Sequence, residues 1–143
     1  MNYLEALNFG NKLLKVNNIK SYNLDTQILL SNVLNHTRDR LLINLQNKIS
    51  IKKFNIFKKL VLRRKNKEPI AYITKEKDFW RYGFKVNNCV LIPRPETEIV
   101  VEEALKIINI NSSKHILDIG TGSGCILLSI LKERPNSFGT AID

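Results

Sequence analysis

The 143-residue sequence predicts an α + α/β protein: a helical bundle, then a β-hairpin, then the first βαβ part of an open α/β sheet. Three observations carry this prediction. Apolar residues recur at helical spacing through the first half, aromatic residues alternate with polar ones just after it, and a glycine-rich loop joins an apolar strand to an apolar helix. The sheet-forming part is short, so we expect it to be an incomplete domain.

Residues 1–74 are predicted to form short amphipathic helices. Asn23, Thr37 and Ser50 are the predicted N-caps, because their side-chain oxygens can accept from first-turn N–H groups. The predicted inward-facing residues are Leu4, Leu7, Leu13 and Leu14, then Leu24, Ile28, Leu29, Val33 and Leu34, and finally Ile51, Phe54, Phe57, Leu60 and Val61. Pro69 fits the first position of a last short helix.

Residues 75–92 are predicted to form a β-hairpin that links two domains. The stretch 78–86 is aromatic and roughly alternating, which favours a first strand with Gly83 as a break in it. Asn87 and Asn88 predict the turn, and residues 89–92 the second strand.

Residues 93–143 are predicted to begin an α/β domain. Pro95 suits the start of a helix, and Glu96 and Glu98 place favourable negative charge in its first turn. The predicted apolar face of this helix comprises Val100, Ala104, Ile107 and Ile108. A short buried strand at 114–119, a helix at 122–133 and a strand at 138–142 would complete one βαβ unit.

The loop after the first of these strands is the most informative motif. Asp118 ends the strand, and Gly120, Gly122 and Gly124 follow, so backbone N–H groups and a helix N-terminus can approach a ligand closely. The third glycine comes one position too early for the Gly-x-Gly-x-x-Gly fingerprint of dinucleotide sites. Asp143 ends the next strand, where a carboxylate can accept both ribose hydroxyl hydrogens. Two alternatives stay open: a tight turn that binds no ligand, and an Asp118 that only holds the loop's backbone.

Positive charge is concentrated in the first half. The net charge is +10, with 15 Lys/Arg against 4 Asp/Glu in residues 1–75 and 8 against 9 in residues 76–143. One explanation is a surface for nucleic acid or an acidic partner. The other is a codon bias toward Lys, Asn and Ile, which supply 16, 17 and 18 residues.

Composition excludes several other classes of protein. The two cysteines, Cys89 and Cys125, have no metal-site spacing and make no disulfide framework, so we expect no metal and a reducing cytoplasm. No apolar run approaches the roughly 20 residues of a membrane span, and residues 1–18 lack a signal-type apolar block.

Two segments together resemble a known family. The pattern Asp-x-Gly-x-Gly-x-Gly at 118–124 resembles the first motif of class I S-adenosylmethionine-dependent methyltransferases. The run Ile-Pro-Arg-Pro-Glu-Thr-Glu at 92–98 resembles the preceding segment of the HemK/PrmC family, the release-factor glutamine N5-methyltransferases. Residues 24–30, 63–73 and 78–80 extend the resemblance over nearly the whole chain.

The resemblance implies a cytoplasmic, monomeric enzyme that methylates the glutamine side-chain amide in the Gly-Gly-Gln loop of peptide chain release factors. It implies a substrate-recognition domain at 1–74, a hairpin linker at 75–92 and a Rossmann-like methyltransferase domain from 93 onward. The residues that would line the S-adenosylmethionine site are Gly120, Thr121, Gly122, Ser123 and Gly124, with Asp143 on the ribose. The residues that would form the pocket rim, or else a helix cap with interdomain packing, are Arg94, Pro95, Glu96 and Thr97.

The sequence departs from the family pattern at two places. Thr74 and Lys75 stand where members usually have a glycine. The family's catalytic Asn-Pro-Pro-Tyr motif is not among the 143 residues, so no catalytic residue is assigned, and we expect an inactive fragment with a marginally stable α/β part. Two other hypotheses stay open: a non-catalytic basic helical module that binds a release factor or RNA, and a fragment of a nucleic-acid methyltransferase.

Overall fold

The computed structural model describes residues 1–143, which form two compact units, Met1–Thr74 and Lys75–Asp143. The first unit is helical, and the second contains a β-hairpin and one parallel βαβ unit, which confirms the predicted α + α/β class. None of its helices is both long enough and apolar enough to cross a membrane.

Five helices make up the first unit: α1 (Tyr3–Val16), α2 (Tyr22–Leu34), α3 (Arg38–Ile43), α4 (Ile51–Lys65) and α5 (Ile70–Thr74). The predicted caps Thr37 and Ser50 are confirmed, since each side chain accepts from a first-turn N–H group. Asn23 is not a cap. Helix α2 begins earlier, after Ser21, and the side-chain Oδ1 of Asn23 accepts from Gln27 Nε2 inside the helix.

The core of the first unit is built from the predicted helix faces with three exceptions. Leu29, Phe57 and Val61 are fully buried, as expected. Leu4 and Leu24 are partly exposed, and Ile51 is 81% exposed, because it occupies the first turn of α4 on the side away from Phe57 and Val61. The helical spacing of apolar residues therefore predicted the buried residues in the middle of each helix better than those in its first turn.

An ion pair with little solvent exposure joins α2 to the end of α4. Arg64 donates to the Asp25 carboxylate over 2.6 Å and to the carbonyl of Glu68 over 3.0 Å. The Ser21 hydroxyl also donates to Asp25, over 2.8 Å. These bonds satisfy a carboxylate that is only 7% exposed, as a buried charge requires.

The hairpin is formed by β1 (Glu76–Phe79) and β2 (Tyr82–Lys85), which pair antiparallel. The predicted second strand at 89–92 was wrong, because the chain already reverses at Trp80 and Arg81. Trp80 takes a φ of +58°, and Gly83 is a paired strand residue instead of a break. This register places Phe79 and Phe84 on one buried face.

The βαβ unit consists of β3 (His115–Ile119), α7 (Cys125–Glu133) and β4 (Phe138–Ile142), with β3 and β4 parallel as predicted. Helix α7 begins at Cys125, three residues later than expected, because Gly122 and Gly124 have left-handed backbone conformations. The prediction that the first strand is buried was also wrong, since its residues alternate between exposed and half-buried.

Helix α6 (Glu98–Ile107) follows a short 3₁₀ helix at Pro95–Thr97, so Pro95 does open this helical segment. Half of its predicted apolar face is confirmed, since Ala104 and Ile108 pack against the core of this unit. Val101 is fully buried, whereas Val100 and Ile107 are 48% and 83% exposed. Arg134 fixes the end of α6 against α7 by donating to the carbonyl of Leu105 over 2.6 Å and to that of Ile108.

Candidate functional site

The candidate site is built on the loop between β3 and α7. Gly120, Gly122 and Gly124 have φ values of +76°, +53° and +73°, a region that L side chains rarely adopt. A Cβ added at Gly120 or Gly122 would have nothing within 4 Å. Glycine is therefore required there by backbone conformation, and open space lies beside the loop where a ligand can approach.

Backbone hydrogen bonds tie this loop to the end of β4. The N–H groups of Gly120 and Thr121 donate to the carbonyl of Ile142 over 2.7 and 3.1 Å, and Gly124 N–H donates to the carbonyl of Thr121 over 2.8 Å. The two strand ends are thereby held side by side, so the loop and the residue after β4 share one edge of the sheet.

Asp118 holds the loop through a side chain. Its Oδ2 accepts from the Thr121 hydroxyl over 2.8 Å. The sequence left open whether this acid touches a ligand or supports the loop. In the structure it holds the loop through the Thr121 hydroxyl, and contact with a ligand stays a prediction.

Asp143 lies against the glycine loop, as the spacing of the two motifs suggested. Its Oδ1 accepts from Gly122 N–H over 3.3 Å, and the residue is solvent-exposed. One carboxylate oxygen thus orients the acid toward the loop, while the exposed side chain remains reachable by a second donor.

A cavity of about 400 Å³ opens beside this loop. Its lining residues are Cys89, Val90, Leu91, Ile92, Pro93, Arg94, Thr97, Gly120, Thr121, Gly122, Ser123, Cys125, Ile126 and Asp143. Of the site residues predicted from sequence, Pro95, Glu96 and Gly124 are not in this lining. A volume of this size falls in the range of small-molecule and cofactor sites.

One wall of the cavity was missed by the sequence interpretation. Residues 89–92 were predicted to form a strand and Pro93 to begin the next domain. In the structure residues 89–93 form an irregular segment that faces the glycine loop. The available signal was Pro93, a residue that cannot donate to a strand ladder and that argued against pairing this segment.

Helix α7 directs its first turn toward the same cavity. Gly124 occupies the N-cap position and offers no side-chain oxygen, so the first-turn N–H groups have no side-chain acceptor. Cys125 and Ile126 belong to this turn and line the cavity. The first-turn N–H groups and the helix dipole together favour an electron-rich ligand atom at this end of α7.

A polar cluster at the other end of α7 anchors the hairpin. Glu133 accepts from Trp80 Nε1 over 3.1 Å and from the Tyr82 hydroxyl over 3.2 Å, and Arg81 lies 3.6 Å away. The bond from Trp80, then that from Tyr82 and the charge of Arg81, hold the pKa of Glu133 below its ordinary value against the opposing effect of burial. The backbone N–H of Trp80 also donates to Glu98 over 2.9 Å.

Two parallel strands joined through a bare glycine loop and a helix, with an acid after the second strand, define the unit as part of a Rossmann-like domain. Residues 5–74 match the family described as the PrmC N-terminal domain. This match supports the resemblance to the HemK/PrmC family that the motifs of the chain predicted.

Several curated relatives agree with this assignment. The release factor glutamine methyltransferase of Shewanella oneidensis is 40% identical over 87% of this chain and 43% of the relative. That of Buchnera aphidicola subsp. Baizongia pistaciae is 44% identical over 80% of this chain and 41% of the relative. The bifunctional methyltransferase of Rickettsia typhi is 38% identical over 97% of this chain and 30% of the relative. The chain spans less than half the length of these relatives.

Proposed function

We propose that this chain supplies the substrate-recognition and cofactor-binding parts of an S-adenosylmethionine-dependent enzyme that methylates the glutamine amide in the Gly-Gly-Gln loop of release factors. The observation that carries the proposal is the bare loop at Gly120–Gly122 with Asp143 held against it, both lining one cavity, in a chain that resembles this family. In this proposal residues 1–74 recognise the release factor, residues 93–143 hold the cofactor, and residues 75–92 link these two domains. The enzyme acts as a cytoplasmic monomer.

The chemistry of the cavity fits this cofactor. The glycine loop lets backbone pass close to the methionine part and the ribose, and the exposed carboxylate of Asp143 suits two ribose hydroxyl donors. Arg94 is the one cationic side chain in the cavity wall, so it suits the carboxylate of the amino-acid part. S-adenosylmethionine, when bound, supplies a methyl group that its sulfonium already activates.

The protein then contributes to the reaction by positioning the two reactants. An amide nitrogen is a weak nucleophile because its lone pair is delocalised, and a reaction of this kind gains most from holding the reacting atoms in line. The cofactor, one of the two reactants, would be held by Gly120–Gly122, Asp143 and Arg94. By resemblance, an Asn-Pro-Pro-Tyr motif fixes the other by gripping the amide hydrogens, and this motif is not among the 143 residues. We therefore propose that these residues bind cofactor but do not transfer the methyl group by themselves.

Cofactor binding is tested by calorimetric titration of the 143-residue chain with S-adenosylmethionine, S-adenosylhomocysteine and NAD. The expected result is binding of both adenosyl compounds, no heat with NAD, and at least tenfold weaker binding in Asp143→Ala. Asp39→Ala, an exposed acid on α3, is the matched control and should bind like wild type. Binding of NAD alone would overturn the assignment of the site.

Substrate class is tested with a chimera that joins residues 1–143 to the remaining part of the Shewanella oneidensis relative. The expected result is transfer of one methyl group to the glutamine of a release factor, measured by peptide mass spectrometry, and none in Asp143→Ala. The 143 residues alone should transfer none. A chimera that binds S-adenosylmethionine but methylates an oligonucleotide instead would overturn the proposed substrate, since the nucleic-acid methyltransferase is the competing hypothesis.

A further inference from the structure

The charge of the two structural units differs in a way that codon usage does not explain. Residues 1–74 contain 14 Lys/Arg and 4 Asp/Glu, whereas residues 75–143 contain 9 of each. A genome-wide preference for Lys codons would act on both units of the same chain. The first unit has five more cations and also five fewer acids than the second, so a preference for Lys codons does not account for the difference in charge by itself.

Helix α4 carries most of this excess. Seven of its 15 residues are Lys or Arg, and none is acidic. Arg64 pairs with Asp25 and Arg63 with Glu68. The exposed cations of α4 that have no ion pair are Lys52, Lys53, Lys58 and Lys59.

The few acids of this unit cannot neutralise these lysines. Asp25 and Glu68 are occupied by the two arginines. Glu5 accepts from the backbone N–H of Asn2 at the start of α1 and pairs with the N-terminus. Only Asp39, on α3, lacks a cationic partner, so the lysines of α4 face solvent without a counter-charge.

The spacing of these cations produces a stripe along one side of α4 that is interrupted by Ile56. Lys52 and Lys59 are seven residues apart, so they lie on one side of α4, and Arg63 follows on the same side one turn later. From Lys52 to Arg63 the stripe extends about 17 Å at 1.5 Å per residue. A stripe of this length matches several successive phosphates of a double helix.

The composition of the stripe distinguishes between two kinds of anionic partner. The centres of protein–protein interfaces are depleted in Lys and enriched in aromatic residues, and the exposed side of α4 has no aromatic residue. Single-stranded nucleic acid would need aromatic side chains on which its bases stack. Lysines without aromatics suit a duplex, whose phosphates are outside and whose bases are already stacked.

We propose that the α4 stripe binds the phosphate backbone of a double-stranded nucleic acid without reading its sequence. Its two unpaired cations, Lys52 and Lys59, make the contacts, while Arg63 at the end of the stripe stays paired with Glu68. This interaction uses none of the residues of the cofactor cavity. It is a property of the helical unit that accompanies, and does not depend on, the proposed methyl transfer.

The test is fluorescence anisotropy of a labelled RNA hairpin with the 143-residue chain at several salt concentrations. The variant is Lys52→Gln with Lys59→Gln, and the matched control is Lys12→Gln with Lys20→Gln, two exposed lysines outside α4 with the same change in charge. The α4 variant should bind about tenfold more weakly, and the slope of log affinity against log salt should become shallower by about 1.8, or roughly 0.9 per lost phosphate contact. The control should change affinity less than twofold.

Two further measurements, with a DNA duplex and with a polyglutamate competitor, identify the kind of ligand. A DNA duplex of the same sequence should bind within a few-fold of the RNA hairpin, and polyglutamate of equal charge should compete poorly. The proposal is overturned by an absence of hairpin binding, by equal losses in variant and control, by effective competition from polyglutamate, or by preference for an unpaired strand. Circular dichroism of both variants verifies that these surface changes leave the helices intact.

Discussion

Glu133 is the side chain on which the attachment of the hairpin depends most. Its carboxylate accepts from both Trp80, in the hairpin turn, and Tyr82, the first residue of β2. Burial and the hydrogen bond to this carboxylate raise the pKa of Tyr82, while the same bonds lower that of Glu133. Trp80 is the only tryptophan, so its fluorescence reports on this contact directly.

The first prediction concerns acid. Because the pKa of Glu133 is lower in the folded than in the unfolded state, the unfolded state binds the proton first as pH falls below about 4.5. The stabilisation is therefore present above that pH and lost as pH falls through the folded pKa. Urea unfolding followed by Trp80 fluorescence should show this loss between about pH 5 and 3.

The variant Glu133→Gln should lack that acid-dependent step and should unfold about 1 kcal/mol more easily at neutral pH, since charged hydrogen bonds become neutral ones. Glu102→Gln is the control, because exposed Glu102 pairs only with Lys106. A Glu133→Gln protein whose stability fell with acid as steeply as wild type would show that other groups cause the effect.

The second prediction compares two neighbouring arginines. Arg64→Met should lower the free energy of unfolding by roughly 3 kcal/mol, because it leaves the buried carboxylate of Asp25 without its cation. Arg63→Met removes an exposed pair with Glu68 and should cost at most about 1 kcal/mol. Denaturant titration measures both, and equal losses would contradict the distinction between buried and exposed pairs.

At the scale of elements, sequence predicted the kind of each segment better than its edges. The helices around Thr37 and Ser50 and the parallel pairing of 138–142 were correct, because capping oxygens and the strand–loop–helix pattern act locally. The second hairpin strand was misplaced because the left-handed turn at Trp80 is stabilised by Glu98 and Glu133, which are distant in sequence. No local pattern contains that information.

The third prediction tests the crossing of α1 with its neighbours. A Cβ at Gly10 would lie 2.6 Å from Thr26 Cγ2 and 3.1 Å from Phe57 Cζ. Gly10→Ala should therefore destabilise the helical unit by about 1–3 kcal/mol, although alanine is the better helix former. Asn8→Ala, at an exposed position of the same helix, is the control and should be neutral or slightly stabilising. Denaturant titration followed by circular dichroism makes the comparison.

At the scale of the whole molecule, the two units have very different cores. The core cluster of the helical unit contains 13 buried hydrophobic residues, and that of the second unit contains five. The candidate site was predictable in its glycines and in Asp143, whose spacing follows from one βαβ unit. The wall at 89–93 was not, because an irregular segment has no period to detect.

The fourth prediction follows from this inequality. In urea, Trp80 fluorescence should report unfolding of residues 75–143 at a lower concentration than far-UV circular dichroism, which is dominated by the helices of residues 1–74. Non-coincident transitions are the sign that a protein is not two-state. Superimposable curves from the two probes would contradict separate stabilities for the two units.

The β3–β4 sheet has a consequence for how this protein must be handled. Leu117, Ile119, Phe138 and Ile142 are all more than half exposed, and β4 has a free edge of backbone donors and acceptors. Such an edge is a template for strands of neighbouring molecules. Concentrated samples should turn turbid through intermolecular β-pairing, and a polypeptide that adds a strand beside Phe138–Ile142 should keep them clear.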